Sequence, residues 1–146
     1  MKQLTLAVLL SVLVGCSGES SVALADGRST KLSHWDGRWL IVNYWAEWCA
    51  PCRVEIPELN ALHRERASTG LVVLGVNYDG LVGEKLEEVI ERMGIDFPVL
   101  VDDPREHWGY DLPAVLPATM LIDPEGNLHR QLQGPQTVAT LTAAMQ

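Results

Sequence analysis

A run of apolar, β-favouring residues from Trp39 to Trp45 passes directly into Glu47-Trp48-Cys49-Ala50-Pro51-Cys52, after which the pattern turns helical as far as Ser68. A strand buried on both faces reads as a continuous apolar run rather than as an alternation. A buried strand that ends in a cysteine pair at the start of a helix leaves few architectures open. On the helix, Val54, Leu59 and Leu62 are the candidate core positions. Pro57 lies within it and should kink it.

The rest of the chain repeats the alternation. Leu71 to Asp79 is a second apolar run, and Glu84 to Met93 an amphipathic helix stopped by Gly94. Phe97 to Val101 reads as a short strand and Arg105 to Tyr110 as one helical turn. Thr119–Ile122 and Leu128–Leu132 flank an Asp123-Pro124-Glu125-Gly126 turn, and Thr137 to Met145 closes the chain as a helix. Ahead of all this, Asp26-Gly27 between Val22–Ala25 and Ser29–Leu32 marks a small hairpin. The order describes an α/β sheet covered on both faces. A right-handed crossover then puts the Cys49 loop at the carboxyl end of the Trp39–Trp45 strand, where ligand chemistry gathers in such sheets.

The start of the chain has another character. Met1-Lys2 followed by Leu4 to Val14 has the proportions of a signal-peptide core, too short for a comfortable membrane span. Leu13-Val14-Gly15-Cys16 resembles the lipobox of bacterial lipoproteins, which implies cleavage after residue 15 and a diacylglycerol on Cys16. An ordinary cleaved leader with an incidental cysteine, or an uncleaved anchor, is the alternative. The expected division is a leader over 1–15, a polar tether over 16–21 and one domain over 22–146. Ser17 in place of an aspartate points to outer-membrane sorting in a host with two membranes. Loss of Lys2 with the leader leaves 10 basic against 19 acidic residues, a charge of −9. No basic patch interrupts that acidity; Arg64 and Arg66 look like a solvated helix face, and nucleic acid is excluded as a partner.

The spacing Cys49-x-x-Cys52 puts two sulfurs on the first turn of a helix, close enough to close a disulfide. The helix start favours a thiolate on the first of them. Cys49 should therefore be the exposed nucleophile and Cys52 the deeper resolving thiol, with Pro51 at a position where its missing N–H costs nothing. A zinc site would need two more ligands, and His34, His63, His107 and His129 are scattered without metal-ligand spacing. A purely structural bridge over so small a loop would contribute little closure entropy.

The segment Trp45 to Cys52 resembles the active site of thioredoxins. Val42-Asn43-Tyr44-Trp45-Ala46 before it, Arg53-Val54-Glu55-Ile56-Pro57 after it, and Leu116 to Gly126 further on resemble the TlpA/ResA group of exported, membrane-tethered thioredoxins. The likeness covers about residues 22–146. It implies a thioredoxin-like α/β fold, a central mixed sheet flanked by helices, with an N-terminal hairpin and a central insert over 80–97. It implies catalytic roles for Cys49, Cys52, Glu55 and Pro117, the last as a cis proline facing the disulfide. Leu116 would pair with a partner's backbone, and Trp48 would offer an apolar docking surface. Asn43 and Gly75 stand where cytoplasmic thioredoxins carry a buried aspartate and its lysine, so that relay is absent. Glu55, if buried beside the sulfurs rather than exposed on the helix, would have a raised pKa and could move protons.

The activity implied is thiol–disulfide exchange on exported proteins, such as apocytochrome c, with no cofactor and no metal. A membrane electron donor would keep the pair reduced, and the domain would sit outside the cytoplasm on a lipid anchor, on the periplasmic side in a Gram-negative host. A disulfide oxidase or isomerase is the alternative direction. A thioredoxin-fold copper carrier is the alternative of another class, but that group spaces its cysteines by three residues and adds a histidine. The Pro-x-x-x-Thr-x-x-Cys pattern of peroxiredoxins is missing. Trp35, Trp39, Trp45 and Trp108 carry no motif that lifts them above packing, and Pro113 reads as a loop proline.

Overall fold

A computed structural model describes residues 21–66 and 70–146. The leader, Cys16 and most of the tether lie outside the described residues. Ser21, expected in the tether, instead opens strand β1 (Ser21–Ala23), which pairs antiparallel with β2 (Ser29–Lys31) through Ser21 and Lys31. A 3₁₀ turn, Leu32–Trp35, follows. Then come β3 (Trp39–Trp45), α1 (Ala50–Arg66), β4 (Leu71–Asn77), α2 (Glu84–Met93), β5 (Val99–Leu100), α3 (Arg105–Trp108), β6 (Ala118–Ile122), β7 (Leu128–Gln133) and α4 (Val138–Ala144).

The central sheet has the order β5-β4-β3-β6-β7. Strands β3, β4 and β5 run parallel, while β6 and β7 are antiparallel to their neighbours. Because side chains alternate along a strand, β3 feeds two cores. Ile41 and Trp45 join Ile56, Leu59 and Leu62 of α1, Leu86 and Val89 of α2, and Leu141 of α4. Leu40, Val42 and Tyr44 pack on the opposite face with Val22, Leu24, Trp35 and Trp108. That second face is covered by the hairpin, the 3₁₀ turn and α3 rather than by long helices.

Parity puts Asn43 on the α1 face. Its cross-strand partners are Gly75 on β4 and Thr119 on β6. A Cβ on Gly75 would lie 2.9 Å from the Trp45 indole nitrogen, 3.0 Å from Phe97 and 3.1 Å from Val99. Three buried side chains thus fill the space that a side chain at position 75 would need. Gly75→Ala is expected to cost about 1–3 kcal/mol, read as a lower urea midpoint; an unchanged midpoint would show that the neighbours yield freely.

Two further expectations change within the sheet and α1. Val54 is 69% exposed, because the buried face of α1 runs through Cys52, Glu55, Ile56, Leu59 and Leu62, and Val54 points away from it. The strand expected from Phe97 to Val101 shrinks to Val99–Leu100. Pro98 has no N–H to give, and only its carbonyl joins the ladder, accepting from Gly75 at 2.8 Å. The free edge of β5 is instead covered by the hairpin. Leu24 bridges Leu100 antiparallel, Ala25 N–H donates to Val99 O at 2.9 Å, and Val101 N–H donates to Ala23 O at 2.9 Å.

Candidate active site

β3 delivers the chain to the carboxyl end of the sheet, where it turns into α1 through Ala46–Cys49. Cys49 N–H donates to Ala46 O at 3.1 Å, which tightens the turn. Cys49 and Cys52 are joined, with S–S 2.05 Å and Cα–Cα 5.3 Å. Cys52 is fully buried, and Cys49 is only 3% exposed rather than the open nucleophile the sequence suggests. In the oxidised form its sulfur is turned inward to Cys52, and both half-cystines belong to the α1-side core. The helix start still serves it: Cys52 N–H points at Cys49 Sγ across 3.2 Å. After reduction that N–H and the helix dipole favour a thiolate there.

The exposed group beside the pair is Trp48, at 65%. Its Nε1–H lies 3.1 Å from each carboxylate oxygen of Asp79, and its ring meets Tyr78 edge-on at 6.4 Å. Glu47 pairs with Arg92 of α2 at 2.8 Å, and the guanidinium holds the Glu47 carboxyl below its ordinary range. The segment after β4 and the insert helix therefore hold the loop on its outer side.

Antiparallel pairing of Tyr44 with Ala118 brings the start of β6 to the same end of the sheet. The Leu116–Pro117 peptide there is cis. Pro117 is buried and its carbonyl accepts the Gly134 N–H at 2.9 Å. Leu116 is half-buried against the core that holds the two cysteines. Pro113 is a buried loop residue outside this geometry.

Glu55 lies one helical turn beyond Cys52, on the same face of α1. It is 1% exposed. Its Oε1 accepts Asn43 Nδ2 at 2.7 Å and its Oε2 accepts the Gln136 N–H at 2.9 Å. Burial pushes the carboxyl up to about 7, outweighing those two hydrogen bonds, which favour the ionised form. A carboxyl poised there can exchange a proton near neutrality.

Among the described residues no three His, Cys, Asp or Glu side chains converge as a metal site would require. No described helix is long and apolar enough to cross a membrane. Sequence reasoning treated Asn43 only as a missing aspartate. Its contact with Glu55, and those of Thr119, Gln136 and Asp79 with their partners, were missed. One signal was present: a single polar residue in the apolar run of β3, at the parity that faces α1.

The profile of the AhpC/TSA family matches residues 19–131. The thiol-disulfide oxidoreductase ResA of Geobacillus thermodenitrificans is 32% identical over 115 residues, which are 77% of this chain and 64% of that protein. ResA of Geobacillus kaustophilus is 33% identical over 132 residues, 87% of this chain and 73% of that protein. The chain thus spans just under two thirds of the first relative's length. A solved thiol:disulfide interchange protein of the thioredoxin family from Chlorobium tepidum superposes with TM-score 0.73 at 27% identity, covering 86% of this chain and 90% of that one.

Proposed function

The chain belongs to the AhpC/TSA family of thioredoxin-like proteins, and on that footing we propose that it is a thiol–disulfide oxidoreductase that reduces disulfides in exported proteins. The observation that carries this reading is the Cys49–Cys52 disulfide one turn from a buried carboxyl poised near neutrality. The relatives' names supply the reaction class.

In the reductive half, the Cys49 thiolate attacks one sulfur of a substrate disulfide. A Cys49–substrate disulfide forms, and the other substrate sulfur leaves as a thiolate that takes a proton from water. Cys52 then gives its proton to Glu55 and attacks Cys49 Sγ. The Cys49–Cys52 bond forms, the second substrate thiolate leaves, and two electrons have passed to the substrate. Trp48 offers the apolar contact and Leu116 the backbone edge for an extended substrate segment. A donor at the membrane returns two electrons to the pair.

The direction is tested by equilibrating the Cys49–Cys52 couple against glutathione or dithiothreitol and alkylating the free thiols. A potential near about −270 mV supports a reductase, and one near about −120 mV would make the protein a disulfide donor instead. The anchor on Cys16 is part of the same proposal. Radiolabelled fatty acid should enter the wild type and not Cys16→Ala; equal labelling of the two would remove the anchor.

A further inference from the structure

Asn43 is fully buried on the α1 face of β3, with Nδ2 2.7 Å from Glu55 Oε1 and 3.1 Å from Thr119 Oγ1. Its Oδ1 is buried without a hydrogen-bond partner. The other Glu55 oxygen accepts a backbone N–H, that of Gln136, at 2.9 Å. A backbone N–H can only donate, and it is fixed in place. A proton arriving on Glu55 is therefore better placed on Oε1, opposite a side chain that can change its offering. In the present pose that proton would meet the hydrogens of Nδ2. Rotation of the carboxamide by half a turn puts Oδ1 there instead, where it accepts from the Glu55 O–H. The Thr119 hydroxyl, which accepts from Nδ2 in the present pose, can then donate to the same Oδ1.

We propose that Asn43 is a positioning residue whose carboxamide reverses as Glu55 gains its proton, donating to the carboxylate and accepting from the acid. The proposal rests on the reading of Glu55 as acceptor of the Cys52 proton. It explains why a residue able to play both parts stands opposite a group that must hold and release a proton. The titratable neighbours are few. Cys49 and Cys52 precede Glu55 on the α1 side, and Glu58 follows it on the next turn, held by the Val138 N–H at 3.1 Å. From β3, β6 and the segment after β7 the facing groups are Asn43, Thr119 and the Gln136 backbone, none of them charged. No ion pair to Glu55 exists among the described residues.

The test is NMR on the oxidised full chain in detergent micelles. The nuclear Overhauser effect between the Asn43 side-chain NH₂ and the Thr119 methyl is expected to be strong at pH 9. It should fall several-fold by pH 5, with the midpoint of the Glu55 carboxyl carbon shift. A constant effect while that carbon titrates would overturn the proposal. In Asn43→Leu the Glu55 midpoint should rise by about one unit, since donation to a charged oxygen outweighs acceptance from a neutral acid. An unmoved midpoint would also overturn it, and should the variant fail to fold, the wild-type measurement decides alone. The reading of Glu55 itself fails separately, if Glu55→Gln turns over at the wild-type rate.

Discussion

Replacing Cys52 by alanine is expected to lower disulfide-reductase turnover by at least about a thousandfold while leaving the first chemical step intact. Cys49, ahead of the helix, would still attack a substrate disulfide. The resulting mixed disulfide could not resolve from within, because Cys52 is the only thiol held within bonding reach of Cys49 Sγ among the described residues. The trapped adduct should run as a higher-mass species on a non-reducing gel and collapse on adding dithiothreitol. Cys49→Ala should trap nothing. Both variants should also lose a little stability, since each removes the small-loop bridge and a sulfur buried in the core. Wild-type turnover by Cys52→Ala would sink the dithiol mechanism. Tight copper binding by the reduced wild type would then favour a metal carrier.

Glu55→Gln is expected to have two separable effects. The resolving step should slow by about a hundredfold or more at neutral pH, the ordinary contribution of a positioned proton acceptor. The second effect is on stability against pH. Burial raises the folded-state carboxyl from 4.5 to about 7, so the folded protein holds this proton more tightly than the unfolded chain does. The associated stability is fully present below about 4.5 and is lost as pH rises through about 7. The difference corresponds to about 3 kcal/mol between those limits. Glutamine carries no such proton, so the variant's urea midpoint should be flatter over that window. Above pH 7 it should exceed that of the wild type. Parallel curves for the two proteins would mean that Glu55 ionises normally in the fold.

The strands and the redox pair were legible because their signals are local. The run Trp39–Trp45 and the helix Glu84–Met93 have the bounds the residue pattern gives them. Val54 misled because an apolar residue on a helix is core only at the right angle, and the angle is set by what the helix packs against. The depth of Cys49 was hidden for a related reason: exposure depends on the fold around the loop, not on position in a motif. Asn43 was read by comparison with an aspartate it replaces. Its partner is twelve residues away across a β–α turn, and only the packed structure shows that the two side chains meet. Gln136 contributes backbone alone, so no side-chain type could announce it.

The bridge between Leu24 and Leu100 also fixes the direction in which the chain enters the molecule. Running antiparallel to β5, residues 25 back to 21 travel toward the carboxyl end of the parallel strands. That is the pole where the Cys49 loop lies. Anything attached ahead of Ser21 therefore joins the molecule at the thiol-bearing pole. For a domain leashed by its start, the leash point is a pivot, and parts near a pivot sweep short arcs. A domain leashed ahead of Ser21 would keep its redox pair on the leashed side of the sheet.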